Sequence, residues 1–267
     1  MALSENGQRD AARPKIDRSL AQNPKNPWAA HARAHLSYEE GDANAARAFL
    51  KSWLTTYPRN GLLYSHLSWH LALGDLEAGD AAAAFRLFTE AFSPDVHSRP
   101  PRGKVNDAVS FLWRWELAGH PRDGEAWRMM HDFANSAFPR AGAAFSDMHI
   151  ALAQAVAGDD AALEARARQT DELARKGRYP SGFCIPAVSH AFAAFERRDF
   201  PAAIEALQPI AGEFERIGGS RAQLDLVEFT LVKAYLGAGR LDEARRMLSA
   251  RRPVPAGIPV AGLAALH

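Results

Sequence analysis

Residues 61–92 read GLLYSHLSWHLALGDLEAGDAAAAFRLFTEAF. Two helical patterns meet there at Gly79-Asp80. Glycine supplies the left-handed backbone that ends a helix. The aspartate after it offers a carboxylate to the orphan amides that open the next. Counted from that glycine, Ala84 stands at +5 and Phe88 at +9.

Working outward, corners of the same kind fall at Gly7, Gly41, Gly79, Gly119, Gly158, Arg198 and Gly239, at intervals of 34, 38, 40, 39, 40 and 41 residues. A near-constant period in this range marks stacked helical hairpins, with 34 the tetratricopeptide value. Position +5 is Ala12, Ala46, Ala84, Ala203 and Ala244, and position +9 is Ile16, Leu50, Phe88, Leu207 and Leu248. Small residues let helices approach, and large apolar ones fill the space between them. Corners 119 and 158 rest on the period alone.

The pattern predicts first helices near 28–40, 62–78, 105–118, 142–157, 184–197 and 221–238. Second helices follow near 8–22, 43–56, 81–92, 123–137, 160–176, 200–216 and 241–250. Asp42, Asp80, Asp159 and Asp199 are the expected N-caps. No stretch alternates at period two, so no sheet is expected. The fold class is all-α, a right-handed α-solenoid of tetratricopeptide-like hairpins over residues 1–252, with an apolar tail or cap at 253–267. Long connections are expected at Ser93–Gly103 and Gly177–Pro186. The helix near 8–22 has no partner before it. It reads as a truncation, or as an edge covered by a second copy of the chain, that is, a homodimer through the N-terminal repeat edge.

Composition is that of an ordinary globular chain: 267 residues, 47% hydrophobic and 24% charged. Lys plus Arg is 32 against 31 Asp plus Glu, so no one-signed field points to nucleic acid or an anionic membrane. The lone Cys184 excludes an internal disulfide and thiolate clusters. The N-terminal MALSENGQRD lacks an apolar leader core, and no run is apolar enough to span a bilayer, so a cytoplasmic setting is expected.

No Walker loop, GxGxxG, GxSxG or HExxH occurs, which removes the strongest single-motif enzyme readings. Polar residues gather instead on first helices, the layer that lines the inner side of such a stack. His31 and His35 stand at i and i+4, on one helix face, and His66 and His70 repeat that spacing in the next hairpin. Such pairs can chelate a transition metal, but no carboxylate follows at zincin spacing. The expectation is a metal-free, cofactor-free cluster in which the rings meet one another and Asp107 or Asp147. Asp107, Ser110 and Arg114 form one stripe that offers a carboxylate and a guanidinium to a ligand, or else a dipole partner and a cross-helix pair. Asp147 and His149 point to different faces. Ser220 and Gln223 form a capping box, and Asp225 lies outside that explanation. Trp113, Trp115 and Trp127 read as core, and Cys184 as an inert buried thiol.

Taken in order, Trp28-x-x-His31-x-x-x-His35, His66-x-x-Trp69-His70, Asp107-x-x-Ser110-x-Leu112-x-Arg114, Phe145-x-Asp147-x-His149 and Gly218-Gly219-Ser220-x-Ala222-Gln223 resemble the tetratricopeptide repeat protein 38 family. The likeness runs over about residues 20–265 and implies a helical-repeat fold in a shortened member lacking the N-terminal half. It implies no settled activity. Leu224-Asp225 departs from the family's Arg-Asp.

Two functional readings follow. One is a binding or scaffold module that takes a small molecule or peptide in a concave groove lined by His31, His35, His66, His70, Asp107, Arg114, Asp147, His149 and Asp225. The other is an enzyme using those histidines and carboxylates as acid–base groups or metal ligands. A purely structural network is the bland alternative.

Overall fold

The computed structural model describes residues 2–96, 101–250 and 258–266. Among them every regular element is helical and there is no strand. In order these are α1 (Ala2–Glu5), α2 (Arg9–Gln22), α3 (Pro27–Glu39), α4 (Ala43–Leu54), α5 (Tyr64–Glu77), α6 (Ala81–Leu87), α7 (Pro101–Leu117), α8 (Gly124–Ala137), α9 (Ala144–Val156), α10 (Asp160–Arg175), α11 (Cys184–Glu196), α12 (Phe200–Leu207), α13 (Arg221–Gly237) and α14 (Leu241–Ala250). The fold class is the all-α helical-repeat solenoid type that the period implies.

The corners form as the residues dictate. Residues 7, 41, 79, 119, 158, 198 and 239 all have positive φ, and Arg198, at 60°, is the one non-glycine among the described residues to do so. At each corner the next amide bonds to the carbonyl five residues back, from Gln8 to Leu3 through Asp80 to Asp75 and on to Arg240 to Tyr235, at 2.8–3.2 Å. This is the Schellman closure, which satisfies carbonyls that the helix end leaves orphaned. The carboxylates of Asp42, Asp80, Asp159 and Asp199 then accept from the amides of Ala45, Ala83, Ala162 and Ala202, so one dipeptide stops one helix and starts the next. Asp123 does the same for α8 without a glycine before it, and Asn26 caps α3 ahead of Pro27.

The chain divides into two compact units, one of Met1–Asp107 and the other built on Ala108–Arg251 with Val260–His267. In the first unit α3–α4 and α5–α6 are hairpins, and α4 packs on α5. Ala30, Ala34, Leu50, Trp53, Leu54, Leu67 and Leu71 make its core. In the second unit α9–α10, α11–α12 and α13–α14 repeat the arrangement. Of the +5 alanines, Ala12, Ala84, Ala203 and Ala244 are buried and Ala46 is half-buried. Of the +9 residues, Ile16, Leu50, Phe88 and Leu207 are buried and Leu248 is half-buried.

The structure departs from the sequence reading at three places. Helix α2 is not without a predecessor: α1 packs on α2 and α3, and Leu3 closes a cluster of Ala12, Ile16 and Leu36. Of the four apolar residues behind the expected second copy, Ala12 and Ile16 are 3% and 6% exposed within the chain itself, Leu20 is half-buried and Ala11 is exposed. Helix α7 begins at Pro101, earlier than expected, because proline suits the first turn of a helix. The rest of the long connection, at residues 97–100, lies outside the described residues. Two second helices do not stay α-helical: α6 ends in a π turn at Phe88–Phe92 and α12 in a 3-10 stretch at Gln208–Ile217. In the tail, residues 253–257 lie outside the described residues. Beyond them Ala261 accepts from Lys233 Nζ and donates its amide to Leu117 O, both at 2.7 Å. The tail thus docks on α7 and α13 of the second unit.

Candidate functional site

Consecutive first helices α3 and α5 pack in the first unit and bring the two histidine pairs together. His31 is the hub. Its Nε2 lies 2.9 Å from His35 Nε2, 3.0 Å from His66 Nε2 and 3.2 Å from His70 Nε2. The rings meet edge to face, with centroids 4.5 Å apart for His31–His35 and 4.7 Å for His31–His66 and His35–His70. Nitrogens of His31, His35 and His70 all fall within 4.8 Å of one another. Trp69 lies parallel to His66, 9° off, and at 72° to His70, bracing both rings.

Carboxylates stand behind two of the imidazoles. His66 Nδ1 donates to Asp107, 3.0 Å from Oδ2 and 3.2 Å from Oδ1. His35 Nδ1 lies 3.6 Å from Glu5 Oε1. Asp107 is a sequence candidate; Glu5 is not, because it sits in α1, outside the periodic pattern. Burial, reinforced by the neighbouring imidazoles, pushes His31 down to about 2 and His35 down to about 3. Both rings are therefore neutral at neutral pH.

The hub carries an excess of partners. A neutral imidazole nitrogen holds either one hydrogen or one lone pair. Three nitrogens within 3.2 Å of His31 Nε2 cannot all be hydrogen-bonded to it. The other ring nitrogen, His31 Nδ1, is buried without a hydrogen-bond partner, so every polar contact of this ring runs through Nε2.

The remaining sequence candidates belong to the second unit and do different work. Asp147 is 2% exposed and accepts from the amides of Gly142 and Ala143 at 2.9 and 2.8 Å, from Tyr179 Oη at 2.7 Å and from Arg166 Nη1 at 2.7 Å. That carboxylate is saturated, and it anchors the start of α9. His149 bonds through Nδ1 to Phe145 O at 2.7 Å, one turn back on its own helix. Arg114 is 1% exposed and donates to the carbonyls of Ala222 and Gln223, with Phe229 beside its guanidinium. Asp107 and Arg114 serve different neighbours: one orients His66 while the other holds the start of α13. Asp225 is buried in α13. Gln223 accepts from the amide of Ser220 at 2.9 Å, as its capping box requires. Arg166 and Tyr179, which complete the Asp147 network, carry no periodic signal that singles them out.

No helix among the described residues is long and apolar enough to cross a membrane. No solved structure matches the chain. Residues 3–67, which hold His31, His35 and His66, match the model of the tetratricopeptide repeat family.

Proposed function

We propose that this chain is a helical-repeat binding module whose binding centre is the imidazole cluster of His31, His35, His66 and His70. The observation that carries this reading is the convergence of three ring nitrogens on His31 Nε2. Their bonding capacity exceeds what the rings can use among themselves, and a bound group takes up the surplus. The tetratricopeptide match over residues 3–67 supports a repeat scaffold around the centre, and the resemblance to the tetratricopeptide repeat protein 38 family supplies the same framework without a reaction. Trp28, 60% exposed, lies one helical turn before His31 in α3, and Leu62, 64% exposed, lies in the turn four residues before His66; both offer an apolar margin for a small molecule or peptide. An enzymatic second reading is favoured by one feature. Asp107 fixes the tautomer of His66, leaving its Nε2 as a base in the way an orienting carboxylate does in hydrolytic dyads.

Native mass spectrometry of the chain as purified tests the binding reading. The expected result is an adduct of defined mass on the folded chain, absent after denaturation and absent from His31→Ala. A wild-type chain of bare mass that also takes up no ligand from a panel of metal ions and short peptides overturns it.

A further inference from the structure

We infer that the imidazole cluster is a binding site for one divalent transition-metal ion, with His31, His35 and His70 as its core ligands and His66 as the fourth. The inference rests on the cluster being the binding centre. Zinc–imidazole bonds are about 2.0–2.1 Å, so tetrahedral ligands stand ~3.3–3.4 Å from one another. The distances from His31 Nε2 to the other three Nε2 atoms, 2.9, 3.0 and 3.2 Å, are within half an ångström of that spacing; nitrogens of His31, His35 and His70 lie within 4.8 Å of one another, and His66 joins this set through His31 Nε2. Imidazole nitrogens that face one another with a lone pair each are mutually repulsive; a cation at their centre turns the same arrangement into bonds.

The surroundings match the chemistry of the donors. Asp107 bonds to the outer nitrogen of His66 and Glu5 faces the outer nitrogen of His35. The hydrogen-bonded carboxylate of Asp107 fixes its ring, directs the lone pair inward and raises its basicity. Two carboxylates also balance the charge of a dication held by neutral ligands. An all-imidazole set suits zinc, copper, nickel or iron and disfavours calcium and magnesium, which require oxygen. The i, i+4 spacing on two neighbouring helices explains why the geometry arises: each helix contributes a pair on one face, and the packing of α3 on α5 supplies the other half.

The test titrates full-length, chelator-stripped protein with Zn2+ by calorimetry and with Co2+ by visible absorption. One equivalent per chain and the intense d–d bands of tetrahedral cobalt are expected. His35→Ala with His70→Ala removes stoichiometric binding, and Asp107→Asn weakens it by roughly 10–100-fold, the usual cost of losing an outer-shell partner. His131→Ala, in the second unit, leaves it unchanged. Should the double variant not fold, Asp107→Asn with a native circular dichroism spectrum and the cobalt spectrum of the wild type decide. Uptake well below one equivalent, octahedral cobalt, or wild-type affinity in a folded double variant or Asp107→Asn overturns the inference. An organic adduct lost in His31→Ala, without zinc uptake, overturns the metal and keeps the binding centre. Neither adduct nor zinc overturns both.

Discussion

At the scale of the residue, the chain buries polar groups in two contrasting ways. Asp147 is fully answered from within: two amides, a phenol and a guanidinium converge on its oxygens. His31 has too many partners at Nε2 and none at Nδ1. The first arrangement is architecture; the second calls for something more. The energetic consequence can be measured at Asp147. Arg166 is buried with it, side chains 4% and 3% exposed, and also donates to Phe138 O. Removing one member of a buried pair leaves the other uncompensated and costs about 3–5 kcal/mol. Arg166→Leu is expected to destabilise by the lower end of that range, because two amides and Tyr179 still serve the carboxylate. Tyr179→Phe is expected to cost about 1.5–3 kcal/mol, as for a hydrogen bond to a charge. Urea unfolding of both variants checks the order; Tyr179→Phe costing more than Arg166→Leu contradicts it.

At the scale of the element, a corner dipeptide and a small-residue contact recur, and both are legible in composition. The contact has a sharp test at Gly237, the last residue of α13. Replacing a helical glycine by alanine ordinarily stabilises by roughly 0.5–1 kcal/mol. Here a Cβ would stand 2.5 Å from two carbons of the Phe200 ring at the start of α12. The ring is locked against Phe195, centroids 5.4 Å apart, so overpacking wins, at about 1–3 kcal/mol. Gly237→Ala therefore lowers the melting temperature, and Gly237→Ala with Phe200→Leu recovers part of the loss. A rise in melting temperature for the single variant shows that the ring moves freely.

At the scale of the whole molecule, the ends of a repeat array must be covered, because every hairpin presents an apolar face to the next. In the first unit α1 packs on α2 and α3, and its Leu3 meets Ala12, Ile16 and Leu36. Deleting residues 2–7 is expected to expose that cluster and to raise self-association, read by light scattering at micromolar concentration against the full chain. The same deletion removes Glu5 from behind His35. An unchanged scattering mass shows that α1 does not shield this edge. In the second unit the tail is held through Val260, buried, and Ala261 on Leu117 and Lys233.

The sequence by itself determined where every corner falls, which carboxylates cap the helices and which alanines and large apolar residues pack between them. Those features are local: a left-handed backbone at Gly79 or an N-cap at Asp80 depends on a few neighbouring dihedrals and amides, and a repeated period makes each instance confirm the next. It also placed His31 with His35 and His66 with His70, since i and i+4 share a helix face. What only the tertiary structure decided is the direction of each polar side chain across the helix layer. Asp107 turns to His66 and Arg114 to Ala222 although both stand on one stripe of α7. Asp147 joins Arg166 and Tyr179, from outside any motif. The convergence of four imidazoles needs the axial register of α3 against α5, which is fixed by the packing of Ala30, Ala34, Leu67 and Leu71 in one core. A shift of one residue rotates a helix face by about 100° and carries its histidines elsewhere.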